Sequence, residues 1–214
     1  MALKAVLFDF DGVLADTAQL HLESEQAVFA TVGLKISKGE LAAFFGMKVS
    51  EFIKAVLKKY RVKADWEKLM AQKYKILEKL IEKKGIRPLP GAKALALKAK
   101  KSGLKIAVAS GSRKKFIFPI LKKMGLDKTF DLVLCADDVK KGKPNPEIFL
   151  KCAKRLRVQP KDCLVLEDAE NGIIAAKRAG MKAIALKSAY SGKQDFSKAD
   201  KVVNSLKDVD LGNF

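Results

Sequence analysis

Short apolar runs rich in β-branched residues recur along this 214-residue chain, separated by helical patterns, and that alternation leaves few architectures open. Runs at Ala5 to Asp9, Ile106 to Ser110, Leu132 to Asp137, Cys163 to Asp168 and Ala183 to Leu186 read as strands, with a weaker one at Lys201 to Val203. Helical patterns lie between the later runs at Ala92 to Ser102, Lys114 to Met124, Pro146 to Leu156 and Gly172 to Ala179. Several of these close on Gly103, Gly125 or Gly180, the residue type that ends helices most readily. Strand and helix in alternation predict an α/β fold: a Rossmann-like, doubly wound parallel sheet with helices on both faces and right-handed crossovers.

The alternation fails once. About ninety residues separate the first run from the second, where a crossover is normally short. Within that stretch, Leu20 to Val32, Lys38 to Phe45, Val49 to Tyr60 and Ala64 to Lys84 carry apolar residues at three and four spacing. Such a block buries a small core of its own and reads as an all-helical cap inserted into the α/β domain. The expected division is a core of residues 1–16 and 85–214 and a cap of residues 17–84. Gly85-Ile86-Arg87-Pro88-Leu89-Pro90-Gly91 then forms the return linker.

With 49% hydrophobic and 31% charged residues, the chain has a globular composition and is long enough to bury a core without staples. No window approaches the apolar length of a membrane span, and Lys4, Asp9 and Asp11 interrupt the apolar start. A soluble, cytoplasmic protein is expected. Cys135, Cys152 and Cys163 form no C-x-x-C and sit in or beside apolar runs, as buried thiols of a reducing compartment do. The balance of 43 basic and 24 acidic residues gives +19, which raises a nucleic-acid partner. Yet the lysines fall in scattered pairs on amphipathic stretches without interleaved aromatics, so a solvated surface is the expected reading. The lysine-rich bias also resembles that of heat-adapted proteins and raises a thermophilic source.

Polar residues collect where the strands end. Asp9 and Asp11 follow the first strand, and in extended backbone residues i and i+2 project to one side. Gly12 permits the turn beyond them. Ser110 and Gly111 follow the second strand in a turn whose N–H groups can hold an oxyanion. Lys143 lies past the third strand, and Glu167 with Asp168 ends the fourth. In a doubly wound sheet these ends share one rim, where such folds place their sites. A phosphate there meets like charge costing about 4 kcal/mol per contact at about 4 Å and moderate dielectric, so a cation is required. Oxygen ligands favour Mg2+. Asp9 then suits attack on phosphorus and Asp11 general acid and base work. A calcium loop is excluded, because Val13 and Leu14 occupy the positions that need a ligand and a glycine. A nucleotide P-loop at Lys143 is excluded by Asp137 and Pro144.

Asp9-Phe10-Asp11-Gly12-Val13-Leu14-Ala15-Asp16-Thr17, Ser110, Lys143-Pro144 and Glu167-Asp168, in that order, resemble the four motifs of the haloacid dehalogenase superfamily. More narrowly they resemble its helical-capped branch of β-phosphoglucomutase-like and phosphoglycolate-phosphatase-like enzymes. The resemblance implies Asp9 as nucleophile and metal ligand, and Asp11 as acid/base and ligand through its carbonyl. It further implies Ser110, Gly111 and Lys143 on the phosphate, Asp168 as the acidic metal ligand and Glu167 as its supporting neighbour. Thr17 and His21 resemble cap-hinge and substrate-contact positions, and Lys48 lies in the loop that resembles the cap specificity loop. Glu51 after Ser50 departs from the arginine found there in mutases, and favours hydrolysis.

The resulting expectation is a Mg2+-dependent phosphatase for a small phosphorylated metabolite, a sugar phosphate or phosphoglycolate-like acid, working through an aspartyl-phosphate. A monomer with neither a membrane nor a nucleic-acid partner is expected. β-Phosphoglucomutase-like transfer is the alternative within the enzyme class. A receiver-like phospho-acceptor module, with its acceptor near Asp137 or Asp138, and a nucleic-acid binder are alternatives of other classes.

Overall fold

The computed structural model describes residues 2–192 and 194–213. Six parallel strands form one sheet in the order β3-β2-β1-β4-β5-β6. They are β1 (Ala5–Phe8), β2 (Lys105–Ala109), β3 (Leu132–Leu134), β4 (Cys163–Glu167), β5 (Lys182–Leu186) and β6 (Lys201–Val203). β1 lies between β2 and β4, with Phe8 paired to Val108 on one side and Leu166 on the other. The winding therefore reverses at β1, and a crevice opens at the carboxyl ends of β1 and β4.

Alternation along the strands separates two cores. Val6, Phe8, Ile106, Val108, Leu164 and Leu166 face one way, against helices α5 (Ala92–Lys101) and α6 (Lys114–Lys123). Ala5, Leu7, Ala107, Ala109, Cys163 and Val165 face the other, against α7 (Glu147–Leu156) and α8 (Glu170–Arg178). The second face is rich in alanine, so its helices have little side-chain bulk to clear. Both faces are covered, which is why β1 and β4 are buried along their whole length.

Four of the five helices between β1 and β2 form a block of their own, α1 (Ala18–Ala30), α2 (Lys38–Ala42), α3 (Val49–Lys59) and α4 (Trp66–Lys84). Ser37 and Glu40 form a reciprocal capping box at the start of α2, and Asp65 accepts from Glu67 N and Lys68 N at the start of α4. Their apolar faces form a third cluster around Leu22, Phe29, Leu41, Phe52, Ile53 and Val56. Leu20, Leu77 and Ile81 pack instead with the sheet's first face, so α1 and α4 root the helical block on the core. The chain leaves and returns side by side: Asp16 N donates to Arg87 O, Leu89 N donates to Leu14 O, and Ala15 bridges Pro88.

Two expected elements end three residues early. β3 stops at Leu134 rather than Asp137, because the Asp138 carboxylate accepts from Cys135 N and winds Ala136–Asp138 into a single 3-10 turn. The second cap helix ends at Ala42, three residues before Phe45, as the backbone turns toward Gly46.

Candidate active site

Asp9 leaves the end of β1 with its N–H donating to Leu166 O, so its backbone is fixed by the neighbouring strand. Its carboxylate meets Lys143, which is 1% exposed. The lysine ammonium has three protons and three acceptors: Asp9 Oδ1, Glu167 Oε1 and Ala109 O. Lys143 thus sits beneath Asp9, and contact with a phosphate would require it to exchange one of these bonds. Glu167 is equally committed. Its Oε2 accepts from Asp168 N and Ala169 N at 3.0 Å each, which makes it the tie between Lys143 and the turn after β4.

Asp9, Glu167 and Asp168 each place a carboxylate oxygen within 4.8 Å of the others, and all three are buried. Lys143 neutralises one charge of the three, while Asp168 has no ion pair among the described residues. Burial, then the charges of Glu167, Asp9 and Asp11, push the Asp168 carboxyl well above the usual range. Burial also pushes Asp9 up, against the pull of Lys143. Surplus negative charge on an all-oxygen donor set fits a small, hard dication, with Asp9 and Asp168 the carboxylates free to hold it. Gly12 makes this approach possible. Its φ is +79°, and a Cβ there would stand 1.9 Å from Asp168 Oδ2.

Asp11 points elsewhere. Its Oδ1 accepts from Thr17 Oγ1 at 2.7 Å and pairs with His21 Nε2 at 3.0 Å; its Oδ2 accepts from Ser112 Oγ at 2.7 Å and Ser110 Oγ at 3.4 Å. Burial works against its charge, but His21 and the hydrogen bonds from Ser112 and Thr17 hold the carboxyl well below the usual range. Behind His21, Lys73 Nζ lies 2.9 Å from Nδ1 and 3.2 Å from Glu25 Oε1. An ammonium only donates, so Nδ1 accepts from Lys73 and the Nε2–H donates to Asp11.

A cleft enclosing about 590 Å³, part of it open to solvent, lies over these groups. Asp9, Asp11, Gly111, Ser112 and Asp168 form its floor, and cap residues form its roof. Asp9, Asp11, Ser110, Gly111, Lys143, Glu167 and Asp168 thus converge, with Thr17 and His21 joined to them through Asp11. Lys48 does not join them. Its Nζ donates to Val139 O at 3.0 Å and it lines a separate cleft with Trp66, Tyr74 and Arg113. Glu25 and Lys73 are additions that motif spacing does not single out. Lys73 does leave a trace, a lysine on the α4 face that otherwise buries Leu69, Leu77 and Ile81.

Residues 6–186 match the family model described as haloacid dehalogenase-like hydrolase, and the chain belongs to that family. Within it the chain is a phosphatase. YhcW of Bacillus subtilis (strain 168), named as a candidate phosphatase, is 36% identical over 213 residues, spanning 98% of this chain and 94% of YhcW. Fructose-1-phosphate phosphatase YqaB of Escherichia coli (strain K12) is 32% identical over 179 residues, 84% of this chain and 94% of its own. A solved β-phosphoglucomutase from Clostridium difficile superposes with a TM-score of 0.86 at 29% identity, covering 99% of this chain and 95% of that one.

Proposed function

We propose that this phosphatase hydrolyses a small sugar-type phosphate monoester through an aspartyl-phosphate on Asp9, with Mg2+ as its metal. The observation that supports it most is the placing of two carboxylates with different partners at one strand end. Asp9 is crowded by acids and braced by Lys143, while Asp11, two residues on, is held apart by Thr17, His21 and Ser112. Environments that separate two titrating groups assign them different roles.

An Asp9 oxygen attacks phosphorus as the bond to the leaving alcohol breaks, and Asp11 gives that alcohol oxygen its proton. Asp11 is an anion in the arrangement described, so it takes that proton from solvent as the phosphate dianion enters and raises its proton affinity. A water then loses a proton to Asp11 and attacks the same phosphorus, which frees Asp9 and releases inorganic phosphate. Bound at Asp9 and Asp168, Mg2+ would supply the positive charge that lets a phosphate approach these acids. Ser110 N and Ser112 N are spent on Leu134 O and Ser110 Oγ, so the Gly111 N–H is the donor this turn contributes beside the same place.

Hydrolysis of p-nitrophenyl phosphate tests this reading. Asp9→Asn is expected to lower kcat by about a thousandfold or more. Chelation is expected to abolish turnover, and Mg2+ to restore it. Substantial activity in the variant, or indifference to chelator, would refute the mechanism. The likeness to a β-phosphoglucomutase supports a second reading, transfer between two positions of one sugar. Free phosphate released from a hexose phosphate, with no isomer formed, decides for hydrolysis.

A further inference from the structure

The cleft roof carries an inference about the alcohol half of the substrate, resting on the phosphatase reading above. Leu41, Phe44, Phe45, Met47, Val49 and Phe52 supply its apolar wall from the cap. Three polar side chains reach it from the cap, His21, Glu25 and Lys73. They are engaged with one another. Lys73, itself 1% exposed, is held by Glu25 at 3.2 Å and by His21 Nδ1 at 2.9 Å. That wall offers no surplus cation.

The nearest alternatives are spent outside the cleft. Lys48 bonds Val139 O, and Arg113 pairs with Asp137 at 3.3 Å; neither lines the cleft. A second phosphate or a carboxylate on the leaving group would meet these apolar side chains and an ammonium already paired, and an unpaired charge is costly to desolvate. The chain's +19 does not reach inside as a specific contact, because surface charges are screened over about 10 Å at ordinary salt.

We infer that the substrate's alcohol carries no second ionised acid and presents an apolar face to the phenylalanines, so that bisphosphates and phosphorylated carboxylic acids are rejected. This excludes the phosphoglycolate-like half of the expectation drawn from sequence and leaves the sugar-type half. It also weighs against mutase chemistry, which must seat a second phosphate.

Matched ester pairs test it. Phenyl phosphate is compared with 4-carboxyphenyl phosphate, and a hexose monophosphate with the corresponding bisphosphate, by kcat/KM for phosphate release with saturating Mg2+. The charged member of each pair is expected to be at least about tenfold poorer. Equal rates, or preference for the charged member, would overturn the inference while leaving phosphatase activity standing. Failure to hydrolyse any of the four would overturn the phosphatase reading, and this inference with it. Phe44→Arg places a guanidinium in the wall and is expected to narrow the neutral-to-charged ratio by about tenfold. An unchanged ratio in that variant would count against the cap wall as the discriminating element, and the native-enzyme comparison stands even if the variant does not fold.

Discussion

A buried ammonium whose three protons all go to protein acceptors is a structural keystone before it is anything else. Lys143 joins the end of β1, the end of β2 and the end of β4 through Asp9, Ala109 and Glu167. Removing it leaves two buried carboxylates facing each other without a counter-ion, a loss of about 3 to 5 kcal/mol for such a pair. Lys143→Met is therefore expected to lower stability by about 3 kcal/mol in urea unfolding, in addition to abolishing turnover. A variant as stable as the native chain would show that the carboxylates are held by something else. At this scale sequence and structure part company in an instructive way. Asp9, Asp11, Lys143 and Asp168 are legible because strand ends bring residues together by topology. Glu25 and Lys73 are not, because α1 and α4 meet His21 through tertiary packing, and only the misplaced lysine on an apolar helix face betrays it.

Among the elements, the loop of residues 139–143 and the start of α7 act as one unit. Glu147, in the first turn of α7, accepts from Lys140 N and Lys141 N and pairs with Lys151 at 2.6 Å. Those contacts, the Lys151 hydrogen bond first, lower its carboxyl from 4.5 to about 2. A folded value depressed in this way adds stability that is fully present above the unfolded value and fades as pH falls toward the folded one. Glu147→Gln is expected to be less stable than the native chain above about pH 4.5 and to converge with it near pH 2, as read from urea midpoints across that range. A gap that persists unchanged at pH 2 would contradict the assignment. The cap clasps the same loop: Glu51 accepts from Gly142 N at 3.0 Å while Lys48 donates to Val139 O. A Cβ on Gly142 would lie 2.5 Å from that of Lys48. Lys48 and Glu51, which sequence places in a specificity loop, are thus occupied in seating the cap, a use that no spacing rule reveals. Helix and strand positions are legible to within a few residues, because the 3.6 and 2.0 periods are local properties; β3 and α2 depart most, each three residues short, β3 through a side-chain bond to its own backbone.

Across the whole molecule, Cys135, Cys152 and Cys163 are free and buried against the sheet. Burial pushes their thiols up to about 12, about 12 and about 11. A thiol of that kind supplies almost no thiolate at neutral pH. All three are expected to resist a thiolate-selective reagent at pH 8 in the native state and to react together once urea unfolds the chain. Rapid labelling of any one before unfolding would show a local opening of the sheet faces. No helix of the described residues is long and apolar enough to cross a membrane.

The cap departs and rejoins at a single doorway, where residues 14–16 run alongside residues 87–89. That doorway interrupts no sheet strand, yet roof and floor remain coupled just past it: Thr17 and His21 grip Asp11, so sequence change in the roof can retune which esters are admitted only where it spares those two side chains.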